Sequence, residues 1–281
     1  MTAPTIGGLP VYGATLHYQV RGHGPLLLLI PGGAGGAAAF DGIVDDLAAE
    51  YTVATYDPRG MSRSTLDDPD AEQCVAEHAD DASRMLELLS PDEPARVFGA
   101  SSGAITALHL LTAHPERVER LIAHEPPLVE VLPDAAEHRA LIVRVQETFR
   151  AEGLMPAMAV FAAGMKKKDA DTAEPEPEAE LELPPQAAAR AEQTMANLPF
   201  FVSRIVPRFM PYSPDVDRLR TLSERLVVAG GQDSHDELPY RTAAALAERL
   251  GTPLLHFPGG HTGTTTHPAE FAEHLRKAFR G

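Results

Sequence analysis

The segment Gly99-Ala100-Ser101-Ser102-Gly103 sets two hydroxyls between two glycines. A serine hydroxyl is a weak nucleophile until an imidazole takes its proton and a carboxylate fixes that imidazole's tautomer. A turn sharp enough to present one side chain crowds the residues two before and two after it, and glycine there removes the clash. Ser101 has Gly99 and Gly103 at those places, whereas Ser102 has Ala100 and Ala104. Ser101 is therefore the candidate nucleophile. Ser102 opens the helix that follows and turns a backbone N–H toward the same space. His261, in Gly259-Gly260-His261-Thr262-Gly263, is the candidate base. Two carboxylates compete to orient it: Asp233, in Gly230-Gly231-Gln232-Asp233, and Glu125, in His124-Glu125-Pro126-Pro127. His124 and Glu125 are alternatively candidates to line the substrate pocket.

These groups can act together only if strands deliver them to one edge of a sheet. Residues 26–30 (LLLLI) form a solid apolar run, as a strand buried on both faces requires. Further strands are expected at 51–56, 96–99, 118–123, 225–229 and 253–257. Helices are expected at 38–50, 71–89, 103–113, 239–250 and 269–279. A hairpin is expected around Gly13, from 11–12 and 14–20. Strands alternating with helices at this spacing imply parallel strands joined by crossover helices. Ligands of such sheets bind beyond the carboxyl ends of the strands. Those ends carry Pro31-Gly32-Gly33-Ala34-Gly35-Gly36, Asp57-Pro58-Arg59-Gly60 and the four segments above. The rhythm breaks over 126–219, which has helical patterning without a convincing strand. The layout expected is a core of 1–125 and 220–281 with an inserted helical segment at 126–219. Within it, the acidic, proline-containing run at 169–182 is expected to be a mobile loop.

The 281 residues carry a formal net charge of −16 and are 44% hydrophobic. A core is thus affordable. The acidity argues against a nucleic acid or an anionic membrane as partner, since both need clustered Lys and Arg. Cys74 is the only cysteine, so neither an intrachain disulfide nor a multi-cysteine metal site can form. The start shows no signal-peptide pattern, and the longest apolar run near it is far too short to span a bilayer. A soluble, cytoplasmic protein without cofactor or metal is the expectation.

The whole pattern resembles the α/β-hydrolase fold family. Gly99-Ala100-Ser101-Ser102-Gly103 is similar to its nucleophile elbow, and His261 stands where the family has its catalytic histidine. Asp233 matches the position of the family's acid, so the resemblance favours Asp233 over Glu125. Asp57-Pro58-Arg59-Gly60-Met61-Ser62-Arg63-Ser64 resembles the D-x-R-G-x-G-x-S loop, with Ser62 where glycine is usual. Pro31-Gly32 replaces the common His-Gly. The resemblance implies a mostly parallel sheet with helices on both faces and a helical cap at 126–219. It implies an oxyanion hole from the backbone of Gly33, Ala34 and Ser102, and hydrolysis of a small, apolar ester or lactone without a cofactor. Cofactor-free haloperoxidases, carbon–carbon bond hydrolases and acyl-transferring cyclases share this machinery. A ligand-binding receptor on the same fold is the non-enzyme alternative.

Overall fold

The structure, a computed structural model, describes residues 3–166 and 185–280. The expected acidic loop at 169–182 lies outside the described residues. Among the described residues, nine strands form one sheet: β1 (Thr5–Val11), β2 (Ala14–Arg21), β3 (Leu26–Ile30), β4 (Thr52–Tyr56), β5 (Thr65–Leu66), β6 (Ala95–Ala100), β7 (Val118–His124), β8 (Leu226–Gly231) and β9 (Leu255–Phe257). The spatial order is β1-β2-β4-β3-β6-β7-β8-β9, with β5 paired to β2. The pairings within β1-β2-β4 are antiparallel, and every pairing from β4 to β9 is parallel.

The LLLLI run explains why β3 sits inside the sheet. Leu28 and Ile30 enter one hydrophobic cluster, Leu27 and Leu29 the other. Side chains alternate across a strand, so an uninterrupted apolar run serves both faces. One face is covered by α2 (Val75–Leu89), α3 (Ser102–Ala113) and α9 (Leu238–Leu250). The other is covered by the single-turn α1 (Val44–Leu47) and by α11 (Pro268–Arg280). The helix expected at 38–50 is instead a 3-10 turn at Ala37–Phe40 followed by α1. Between these two pieces lies Gly42, where a Cβ would stand 3.2 Å from Pro268 Cβ and 3.3 Å from the Thr264 carbonyl oxygen.

Between β7 and β8 the described residues contain helices and no strand, as expected. These are α4 (Ala135–Glu152), α5 (Leu154–Met165), α6 (Pro185–Phe200), α7 (Val206–Phe209) and α8 (Val216–Thr221). Pro199 lies inside α6, and the chain widens into a π turn at Phe201–Ile205 directly after it. A proline has no N–H for the helical ladder, and a local π turn absorbs the mismatch. Val202, Ile205, Val206 and Phe209 then pack into the cluster shared with α2 and α3. A last short helix, α10 (Gly263–Thr266), follows β9. No described helix is long and apolar enough to cross a membrane.

Strand β6 runs into α3 through a turn so tight that two glycines are required. A Cβ on Gly99 would stand 2.6 Å from the carbonyl oxygen of Gly103. A Cβ on Gly103 would run into the carbonyl oxygens of Ile30 and Pro31 at the end of β3. Backbone atoms cannot move aside as a side chain can. Gly103→Val should therefore lower unfolding stability by about 1–3 kcal/mol or more, measured by urea denaturation. A variant as stable as the parent would contradict this close approach.

Candidate active site

Ser101 occupies the apex of the β6–α3 turn with φ 54° and ψ −123°. A non-glycine residue at positive φ is uncommon and costs energy, so the surroundings must hold it. They do: its N–H donates to the His124 carbonyl (2.9 Å), and its own carbonyl accepts from Ala104 N–H (2.9 Å). The hydroxyl so presented lies 3.1 Å from His261 Nε2. His261 comes from the loop between β9 and α10. Its Nδ1 lies 2.6 Å from Glu125 Oε2.

Glu125 follows the last residue of β7 and also has positive φ, 48°. It is fully buried. Its Oε1 accepts from Gly231 N–H (2.7 Å) and from the Ser234 hydroxyl. Burial pushes the carboxyl upward. The hydrogen bond from His261, the neighbouring imidazoles and the Ser234 hydroxyl outweigh burial and bring it down to about 2. An ionised carboxylate only accepts hydrogen bonds, so the His261 proton sits on Nδ1 and Nε2 is free to accept from Ser101.

Asp233 is not in this arrangement, which corrects the sequence expectation. It is exposed. Gln232 N–H bonds the Phe257 carbonyl (2.9 Å) and Asp233 N–H the Gly259 carbonyl (3.0 Å). The backbone thus continues beside the β9 segment past the end of β8. Asp233 is left on the solvent side, while the next residue, Ser234, turns inward to Glu125. Nor does His124 line a pocket. Alternation along β7 turns its ring away from Glu125 into a cage of Phe98, Phe257 and Phe271. Burial there lowers His124 to about 4, which keeps it neutral.

The segment after β3 forms a turn closed by Gly35 N–H donating to the Gly32 carbonyl (3.1 Å). Gly33 has φ 59°. Its N–H donates to Ser102 Oγ (2.9 Å). Among the described residues, no protein acceptor bonds the N–H of Ala34 or of Ser102. The three amides expected to stabilise an oxyanion thus differ: Gly33 is held by the Ser102 side chain, and the other two are unbonded.

Ser101 and His261 open into a cavity of about 350 Å³. Phe40 and Ala39 line one part of it, and Thr264 and Thr265 of α10 another. Helix α6 contributes Arg190, Gln193 and Thr194, a single face at helical spacing. Sequence reading missed Ser234, Arg190 and Asn197. Only Ser234 had a local signal, its place beside Asp233. Asn197 reaches the turn at Gly32–Gly35 across 163 positions of sequence. Arg59, by contrast, is occupied by the buried Asp81 through two hydrogen bonds of 2.7 and 2.6 Å. Among the described residues, no cluster of three or more His, Cys, Asp or Glu is placed to hold a metal ion.

A family model described as the alpha/beta hydrolase fold matches residues 25–261. A Bacillus subtilis protein named uncharacterized hydrolase YraK is 38% identical over 275 residues, covering 96% of this chain and 94% of its own. Zearalenone hydrolase of Bionectria ochroleuca is 36% identical over 118 residues, 41% of this chain and 44% of that protein. Among solved structures, a thermophilic esterase from Thermogutta terrifontis superposes with a TM-score of 0.73 at 21% identity, covering 99% of this chain and 98% of its own. An enol-lactonase from Burkholderia xenovorans gives 0.70 at 18% identity, covering 98% and 100%. At these identities the two structures speak for the fold.

The lowered Glu125 carboxyl links the site to stability. A carboxylate whose folded value (about 2) lies below its ordinary 4.5 stabilises the fold fully above 4.5. That contribution fades as pH falls from about 4.5 toward 2. Glu125→Gln lacks the titration. The stability gap between parent and variant, from urea unfolding at several pH values, should therefore shrink as pH falls through this window. A gap that stays constant or widens would contradict the assigned ionisation.

Proposed function

Because the chain belongs to the alpha/beta hydrolase fold family, we propose that it is a serine hydrolase that cleaves a carboxylic ester or lactone through an acyl-enzyme. The observation that carries this reading is the continuous relay Ser101 Oγ–His261–Glu125, at 3.1 and 2.6 Å. The geometry matches a nucleophile, a base and a buried orienting acid. The names of an esterase, an enol-lactonase and a zearalenone hydrolase among its likenesses point the same way.

Each group then has a step. Ser101 Oγ forms a bond to the acyl carbon as its proton passes to His261 Nε2. Glu125 holds Nδ1–H and stabilises the imidazolium. The negative charge on the carbonyl oxygen is met by backbone N–H groups of Ser102 and the Gly32–Gly35 turn, with the unbonded Ala34 amide available at once. Gly33 N–H joins only where the Ser102 hydroxyl shares or releases it. The C–O bond to the leaving group breaks, and His261 returns its proton to that oxygen. Water then attacks the acyl carbon as His261 takes its proton, the bond from that carbon to Ser101 Oγ breaks, and His261 returns the proton to Ser101 Oγ, releasing the carboxylic acid.

In this reading residues 1–125 and 220–281 are the catalytic core and 126–219 a cap that walls the cavity. Arg190 is the one Lys or Arg among the described lining residues. Its charge favours a substrate with a carboxylate or other electron-rich oxygen near the scissile bond.

Two sets of kinetics test the proposal on aryl esters. Ser101→Ala should lower kcat by about 10⁶-fold, and Glu125→Gln by about 10⁴-fold. Asp233→Asn should stay within a few-fold of the parent. Loss with Asp233→Asn and retention with Glu125→Gln would overturn the assignment of the acid. Separately, Arg190→Gln should raise KM for a carboxylated ester roughly tenfold, the worth of one charge-assisted hydrogen bond of about 1.5 kcal/mol. KM for a neutral ester should not change. Equal effects on both would remove Arg190 from recognition.

A further inference from the structure

Four of the six residues in Pro31-Gly32-Gly33-Ala34-Gly35-Gly36 are glycine. Such a segment has little stiffness of its own, yet donors aimed at an oxyanion are effective only when their position is fixed before reaction. The stiffness must therefore come from outside the segment. One end is held by the buried Asp57 carboxylate, which accepts from Ala37 N–H (2.8 Å). The turn itself is held from helix α6. Asn197 Nδ2 donates to the Ala34 carbonyl (2.9 Å). That carbonyl belongs to the same peptide whose N–H, on Gly35, closes the turn onto Gly32. The peptide is thus bonded at both ends, which holds the Cα of Ala34, the atom that carries the candidate donor N–H.

Asn197 is itself immobilised. It is 6% exposed. Its Oδ1 accepts from Ser62 N–H (2.8 Å), and Nδ2 also donates to Ser62 Oγ (2.9 Å). Ser62 is in the left-handed region at φ 52°. Its loop includes Arg63, whose side chain bonds Asp57 (2.8 Å). Asn197 therefore joins three segments distant in sequence: the glycine turn, the loop after β4, and α6. An aspartate of the same shape could still accept from Ser62 but would face the Ala34 carbonyl with an oxygen.

We propose that Asn197 is a positioning residue that sets the oxyanion turn, so that docking of α6 on the core is coupled to transition-state stabilisation. This rests on the serine-hydrolase reading above. Its consequence falls on the tetrahedral state, where the carbonyl oxygen carries full charge, more than on bound substrate.

The test compares Asn197→Asp with Ser62→Gly. Ser62→Gly keeps the backbone bond to Asn197 and the Asn197–Ala34 bond, and glycine suits φ 52°. Losing one oxyanion donor outright costs on the order of 10²–10³-fold in kcat. Asn197→Asp, which misplaces a donor, should lower kcat by roughly 10- to 100-fold on a neutral aryl ester, with KM within about threefold. A boronic acid that forms a tetrahedral adduct at Ser101 should bind more weakly by a similar factor. Ser62→Gly should keep kcat within about threefold. Thermal melting checks that both variants fold. An Asn197→Asp protein that melts lower but keeps kcat and boronate affinity would overturn the proposal, leaving Asn197 a purely structural tie. Equal loss in both variants would also overturn it, because the Ala34 bond would not be the cause. Parent protein that fails to form a phosphonate adduct at Ser101 would overturn the hydrolase reading itself, and this inference with it.

Discussion

A carboxylate with no access to water must be met by donors, or its burial costs more than any fold can absorb. Glu125 is such a group. Its donors come from three places: Gly231 N–H at the end of β8, the Ser234 hydroxyl in the loop beyond, and His261 after β9. The constraint fixes more than the Glu125 carboxylate. It requires β7, β8 and the loop after β9 to end side by side, as their parallel pairing arranges. It also determines which face of His261 meets Ser101. Removing one partner of a buried pair typically costs about 3–5 kcal/mol, so the orientation of His261 and the integrity of this edge are one property.

Two of the four described non-glycine residues at positive φ belong to the relay. Ser101 and Glu125 both hold positive φ without being glycine. Each follows directly on a strand of the parallel sheet and each is locked by hydrogen bonds to its neighbour: Ser101 N–H to the His124 carbonyl, Glu125 N–H to the Ala229 carbonyl (both 2.9 Å). The backbone bends abruptly at two adjacent strand ends, and the bends carry the two side chains to opposite sides of one imidazole. Such positions persist only where the surroundings over-determine them. Here the surroundings are the rigid interior strands β3, β6, β7 and β8, whose apolar residues fill both helical layers.

Much of this was legible in the sequence. The LLLLI run, the glycine spacing around Ser101 and the strand–helix rhythm each follow from local sterics or periodicity, and the structure has the corresponding elements. The hairpin pattern around Gly13 reaches back only to residue 11, whereas β1 starts at Thr5 and includes Gly7, Gly8 and Pro10. They are tolerated because β1 is at the edge of the sheet, and Gly7 lies under the Tyr18 ring. Choosing between Asp233 and Glu125 was beyond local pattern. Both are carboxylates after a strand, and the difference arises from how far the backbone follows β9 before turning. His124 follows strand alternation: two residues after Ile122, it continues the face of β7 that packs on Phe98 and Phe271. Asn197 left no trace, since an asparagine on a helix reveals nothing of a turn far away in sequence.

The central claim is that Glu125, through His261, makes Ser101 the reactive nucleophile. The most direct measurement is the rate at which a fluorophosphonate modifies the protein, with the adduct located by peptide mass spectrometry. The account predicts a single adduct on the peptide containing Ser101. It predicts labelling slowed by at least about 10³-fold in Glu125→Gln and unchanged in Asp233→Asn. An adduct on another residue, or labelling that depends on Asp233 and not on Glu125, would contradict it.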